Sequence, residues 1–119
     1  MSTLFLRIAA VLCFLAVALG AFGAHALRST LEAHGTLQTW HTAALYHFIH
    51  AIVLLVLALY GTSNRGPWWL FFAGIILFSG SLYGIALIPQ LRDWLDPVTP
   101  FGGICFLAAW AWLIIAPPR

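Results

Sequence analysis

Long apolar stretches alternate with short polar ones along the chain. The apolar stretches cover residues 4–24, 39–60, 68–88 and 101–116. A helix of about 20 apolar residues crosses the hydrocarbon core of a bilayer. The pattern therefore predicts an all-α fold, an integral membrane bundle of four transmembrane helices with short loops, in which residues 1–119 form one domain.

Helix-start and turn signals lie between these stretches. Ser29 and Glu32 have capping-box spacing, which predicts a short interfacial helix ending near Gly35. The Gly and Pro residues of 61–67 predict a tight turn. Thr99-Pro100 has the pattern of an N-cap followed by proline at the first helical position, which places the start of the fourth span there.

The first apolar stretch has two interpretations. Arg7 lies near its end, where a long side chain can reach the headgroups, so the stretch can span the bilayer. Alternatively, Arg7 and the small residues around His25 resemble a cleaved signal peptide. The apolar run is longer than a usual signal core, which favours a retained helix.

Composition identifies the solvent. The chain is 63% hydrophobic and 7% charged, with a mean hydropathy of +1.00. Soluble domains carry about 25% charged residues, so this chain cannot cover a water-facing surface. The lipid bilayer is the expected partner, and the few scattered charges exclude a nucleic-acid-binding patch.

Arginine positions suggest an orientation. Four spans place both termini on one face, together with Arg7, Arg65 and Arg119, whereas Arg28 and Arg92 lie on the other face. The positive-inside rule then predicts cytoplasmic termini by a margin of one residue.

Small residues offer candidate helix-packing positions, because membrane helices associate closely where side chains are small. A glycine-lined groove for a lipid chain is the alternative. The candidates are Gly20, Gly23, Gly80, Gly84, Gly102 and Gly103.

Polar residues inside the spans are the candidate functional residues. Tyr46 and His47 share a helix face with His50, which lies about 20 Å into the second span. An imidazole at that depth is expected to be neutral and to need hydrogen-bond partners on a neighbouring helix. The candidate partners are Ser79, Ser81 and Tyr83, and His25 lies at the mouth of the first span.

Three interpretations of this cluster stay open: a structural polar network, a site for a proton, ion or lipid headgroup, and a metal or haem site. His47 and His50 have a spacing that suits one metal, but no third ligand is assured, so we predict no metal and no cofactor. Glu32, Asp93 and Asp96 all lie in loops, and we find no nucleophile with a base. No catalytic residue is predicted.

Several strings resemble a known family of small bacterial inner-membrane proteins, the YgdD and YwdK type. They are LGAFGAHAL at 19–27, WHTA at 40–43, the Tyr46, His50 and Ala51 spacing, LFSGSLY at 77–83, and Thr99-Pro-x-Gly-Gly103. The resemblance implies a multi-pass protein of the bacterial inner (plasma) membrane with four spans. It implies no activity, because the family has no accepted substrate. His47 departs from the family pattern, where Gln is usual, which weakens the metal interpretation.

Three functional hypotheses follow. The first is a non-enzymatic bundle that binds a lipid or a membrane partner through its polar network. The second is a small transporter or channel-like protein for a proton or small solute. The third is an accessory subunit of a larger membrane complex, and a homo-oligomer is an equally open assembly.

Overall fold

The computed structural model describes residues 2–118. The elements in chain order are α1 (Thr3–Ala24), α2 (Arg28–His34), α3 (Leu37–Tyr60), α4 (Gly66–Gly74), a π-helical segment (Ile75–Ser79), α5 (Gly80–Leu87), a 3₁₀ turn (Pro89–Leu91), α6 (Arg92–Leu95) and α7 (Val98–Ile115).

Four helices are long and apolar enough to cross a membrane. They are α1, α3, the continuous helix Gly66–Leu87 made of α4, the π-helical segment and α5, and α7. Short connections make successive spans run in opposite directions. The predicted all-α membrane bundle is confirmed.

Three spans begin two or three residues earlier than the apolar pattern indicates. The second begins at Leu37, the third at Gly66 and the fourth at Val98. Polar and proline residues fit in a first helical turn, because the first N–H groups of a helix have no intrahelical partner there. Hydropathy therefore misses these turns.

Two predicted helix caps are wrong. Glu32 accepts a hydrogen bond from Arg28 at 2.9 Å and does not form a capping box with Ser29, because a guanidinium one turn away is a charged donor. Thr99 lies inside α7, after an N-cap at Pro97, and its hydroxyl lies 2.6 Å from the Ser81 hydroxyl. The prediction near Gly35 agrees with the structure, where this glycine, with φ of 69°, follows the end of α2 at His34.

Two buried clusters hold the bundle together. The larger includes Leu54 and Trp68 and lies between α1, α3, α4 and α7; the Trp68 indole N–H donates to the Leu54 carbonyl at 3.2 Å. The smaller lies under α2 and includes Trp40, whose indole N–H donates to the Leu19 carbonyl at 2.9 Å. Lipid offers few acceptors, so each buried indole bonds to a backbone carbonyl.

The π-helical segment shapes the contact between the third and fourth spans. Its residue Phe78 has its backbone against Gly102 of α7. On the other side, the Ser79 hydroxyl donates to the Ala43 carbonyl of α3 at 2.8 Å. One segment therefore joins three spans, and π-helical turns of this kind are frequent at functional sites.

The glycines predicted to pack between helices differ in how much space surrounds them. A Cβ at Gly23 would overlap the Trp40 indole, one at Gly84 would lie 2.9 Å from Leu95, and one at Gly102 would overlap the Phe78 backbone. At Gly103 the nearest atom, on Phe78, would be 3.9 Å away, an ordinary contact. At Gly20 and Gly80 an added Cβ would meet no atom of the described chain within 4 Å beyond the adjoining backbone of its own helix, so the structure shows no close helix contact at these two glycines.

Candidate functional site: a lateral cleft between the second and fourth spans

A cleft of about 540 Å³ lies between α3, α7 and the π-helical segment. Several of its lining residues are on the outer surface of the bundle; Ile104 is 59% exposed and Leu107 is 71% exposed. The cleft therefore opens sideways, toward the surrounding lipid. Its lining residues are Tyr46, Ile49, His50, Phe78, Pro100, Gly103, Ile104, Phe106, Leu107 and Trp110.

Helical spacing explains how two spans supply most of this lining. Tyr46, Ile49 and His50 lie three and four residues apart on α3 and so share one face. The α7 residues from Pro100 to Trp110 follow the same spacing. Gly103 has no side chain to fill the space between the two helices, which leaves the cleft open.

His50 forms the buried floor of the cleft, with 5% of its surface exposed. Its Nε2 accepts a hydrogen bond from the Trp110 indole N–H at 3.1 Å. Its Nδ1 lies 2.7 Å from the Tyr46 carbonyl oxygen, which can only accept. These two partners require a neutral imidazole with the proton on Nδ1.

Aromatic rings continue the floor into one wall. The Phe106 ring stacks on His50, with 3.8 Å between ring centroids and 10° between planes. The Tyr46 ring lies 4.8 Å from Phe78, and Phe78 lies 5.7 Å from Phe106. The cleft is thus an aromatic surface inside the span, with no formal charge on its lining residues.

His47 and Tyr83 form a separate pair on another face of α3. The Tyr83 hydroxyl lies 2.9 Å from His47 Nδ1, and His47 is 3% exposed. Its Nε2 has no hydrogen bond of good geometry within residues 2–118, although the backbone of Leu12 on α1 lies near the ring. This pair links α3 to α5 and does not line the cleft.

The remaining predicted residues are also separate. The Ser81 hydroxyl bonds to the Phe78 carbonyl at 2.9 Å and to Thr99, and so links the third span to the fourth. Ser79 bonds to α3 as described above. His25 is exposed at the end of α1 and makes no side-chain hydrogen bond with the described residues.

The predicted partners of His50 therefore need correction. His50 bonds to Trp110 and to the backbone of its own helix, and none of its bonds involves Ser79, Ser81 or Tyr83. Three residues along a helix rotate a side chain by about 60° away from its neighbour, so His47 and His50 face different spans. The polar residues form local pairs and not the single cluster that the spacing suggested.

Trp110 and Phe106 were not identified from the sequence. The contacts of Thr36 and His34 with the Ala86 carbonyl were not identified either. The Ala86 carbonyl accepts from the Thr36 hydroxyl at 2.7 Å and lies 3.1 Å from His34 Nδ1. Trp110 carried a usable signal: tryptophans concentrate at membrane interfaces, so one inside a span needs an internal acceptor for its N–H.

Hydrogen bonds to His50 limit the acid–base chemistry of the cleft. Both His50 nitrogens are already hydrogen bonded, so His50 offers no free base. Across residues 2–118, no three His, Cys, Asp or Glu side chains come close enough to hold a metal ion.

Comparison with known proteins places the chain in a family. The model of a protein family of unknown function, DUF423, matches residues 19–103. The chain belongs to the DUF423 family. The match includes Tyr46, His50, Phe78 and Gly103 of the cleft and ends before Trp110.

Three curated relatives of this DUF423 chain are named as membrane proteins. UPF0382 membrane protein YwdK of Bacillus subtilis is 42% identical, over 94% of each chain. UPF0382 inner membrane protein YgdD of Escherichia coli is 42% identical, over 99% of this chain and 92% of its own. UPF0382 membrane protein C1782.12c of Schizosaccharomyces pombe is 34% identical, over 92% of this chain and 97% of its own. No solved structure matches. The family resemblance is confirmed, and the chain is a multi-pass membrane protein.

Proposed function

We propose that this DUF423 protein is a non-enzymatic protein of the bacterial inner membrane that binds a membrane lipid in the lateral cleft. The observation that carries the proposal is the cleft of about 540 Å³ between α3 and α7, open to the bilayer along membrane-spanning helices. Its volume lies in the range of about 300–1,000 Å³ that is usual for small-molecule sites.

The chemistry of the lining supports a lipid occupant. The lining is apolar apart from Tyr46 and His50, and both His50 nitrogens are already hydrogen bonded. An apolar surface without contacting atoms loses dispersion energy, so hydrocarbon from the bilayer is favoured to fill the cleft. The His50–Trp110 hydrogen bond and the Phe106 stack hold the cleft shape before a ligand binds, which lowers the entropic cost of binding.

A photo-crosslinking experiment tests this proposal. The full chain is placed in phosphatidylcholine vesicles that contain a phospholipid with a diazirine in one acyl chain. Crosslinked sites are then mapped by mass spectrometry. We expect labelling of Ile104 and Leu107 at the cleft to exceed labelling of Phe14, which is 72% exposed on the outer face of α1.

Two glycine variants supply the control. Gly103→Leu fills the cleft, and its first side-chain atom meets only an ordinary contact, whereas Gly20→Leu adds the same side chain in open space on α1. Excess labelling should disappear in Gly103→Leu and persist in Gly20→Leu. Equal labelling of cleft and outer face, or no effect of Gly103→Leu, would contradict the proposal.

The orientation proposed for this protein has both termini in the cytoplasm. Arg7 and Arg65 lie at the face of the bundle that holds the termini. Arg119, which gives this face one arginine more than the other, lies outside the described residues. Single cysteines at Ser63 and at Ser29, in a background lacking Cys13 and Cys105, test the orientation with a membrane-impermeant maleimide on intact cells. Labelling at Ser29 alone supports cytoplasmic termini, and labelling at Ser63 alone contradicts them.

Transport is the weaker alternative on this geometry. His47 pairs with Tyr83, and His50 pairs with Trp110, on different faces of α3, and no hydrogen bond joins the two pairs among the described residues. Proton transfer needs a connected chain of exchangeable groups. The accessory-subunit hypothesis stays a prediction of the sequence.

A further inference from the structure

We infer that the occupant of the lateral cleft is an uncharged planar ring that carries a carbonyl oxygen and an apolar tail, the chemistry of a membrane quinone. The inference rests on the proposed function and names the ligand class for the same cleft. It concerns binding alone. The recognising group is the Tyr46 hydroxyl.

Tyr46 brings a hydroxyl donor to the lining of the cleft. Tyr46 lines the cleft and is 41% exposed, and its hydroxyl forms no hydrogen bond with any group of residues 2–118. It lies about nine residues beyond the start of α3 at Leu37, roughly 14 Å along the helix. A phenol at this depth meets few acceptors in hydrocarbon, so a ligand oxygen would complete its bonding.

The rings around Tyr46 favour a planar partner. Five aromatic rings line the cleft. His50 and Phe106 stack on each other and are each 5% exposed, so the ring surface open to a ligand belongs mainly to Tyr46 and Trp110, which are 41% and 39% exposed. Aromatic faces gain energy from stacked or edge-on rings beyond what burial alone provides. A saturated acyl chain does not make use of this geometry.

Charge complementarity selects an uncharged head. None of the ten lining residues carries a formal charge, since His50 is held neutral by Trp110 and the Tyr46 carbonyl. A phosphate placed among them would lose its hydration without gaining a cation. A quinone ring is uncharged and can therefore lie below the headgroup layer, at the level of Tyr46.

Saturation binding tests the ligand class. The full chain in phosphatidylcholine nanodiscs is titrated with a radiolabelled decyl-substituted benzoquinone, and empty nanodiscs give the background. Tyr46→Phe removes only the hydroxyl, and we expect its Kd to rise roughly three- to ten-fold, the effect of one neutral hydrogen bond. Tyr60→Phe, whose hydroxyl contacts the Pro118 carbonyl at 3.5 Å outside the cleft, should bind like the unmodified protein.

Two further arms separate the outcomes. Decylbenzene has a ring and a tail but no carbonyl. It should bind more weakly than the quinone, and its Kd should be the same for Tyr46→Phe and the unmodified protein. Gly103→Leu, the second arm, should abolish quinone binding. Equal quinone affinity of the unmodified protein and a folded Tyr46→Phe would overturn the inference. Absent quinone binding with retained, Gly103-dependent phospholipid crosslinking would overturn the quinone class and leave the proposed function standing. Loss of both signals would overturn both.

Discussion

Gly102 provides the sharpest test of how the third and fourth spans meet. An added Cβ at Gly102 would overlap the backbone nitrogen of Phe78 and lie 2.7 Å from its Cα and Cβ. Backbone held in a helix cannot move aside as a flexible side chain can. Overpacking costs about 1–3 kcal/mol, and an obstacle made of backbone places Gly102→Ala at the upper end of that range.

Gly103→Ala is the matched control, because the next residue of α7 would place its Cβ 3.9 Å from the nearest atom, on Phe78. Both substitutions gain about 1 kcal/mol of helix propensity over glycine, so the difference between them isolates the contact. The assay is thermal unfolding in detergent followed by tryptophan fluorescence. We expect Gly102→Ala to unfold several degrees below Gly103→Ala. Equal unfolding temperatures would refute the close approach of α7 to Phe78.

Two hydrogen-bonded pairs give further predictions. A double-mutant cycle with His50→Leu and Trp110→Phe should show a coupling energy of about 0.5–1.5 kcal/mol in detergent unfolding. Either single change leaves a polar group inside the span without its partner. Additive effects of the two changes would contradict the hydrogen bond. Tyr83→Phe should reduce the free energy of unfolding by about 0.5–1.5 kcal/mol, because it removes the hydroxyl that bonds to His47. Tyr60→Phe is the control. An equal loss in this control would show that the effect does not come from the His47 bond.

The sequence by itself determined the architecture of this membrane protein. Four apolar stretches of bilayer length leave only helices as spanning elements, because every backbone polar group must be bonded within its own segment in lipid. The same reasoning identified Tyr46 and His50 as residues of interest, since a polar group inside a span is costly. These conclusions depend on local composition, which a single chain displays directly.

Tertiary structure alone decided which helices the polar side chains face. His47 and His50 differ by three positions, yet one bonds to Tyr83 of the third span and the other to Trp110 of the fourth. A rotation of about 60° separates the two directions, and residue spacing does not say which neighbour stands in each. The partners proposed from the sequence were therefore wrong for His50.

The cleft itself was also invisible in the sequence. It exists because the π-helical segment brings Phe78 against Gly102 while Gly103, the next residue, leaves the adjoining space unfilled. Gly102 and Gly103 are adjacent glycines of one motif, yet only Gly102 lies against the Phe78 backbone, and an added Cβ at Gly20 or Gly80 would meet no neighbouring helix within 4 Å. The rotation of each helix and the extra residue of a π-turn are set by long-range packing between spans. The local sequence pattern therefore does not predict them.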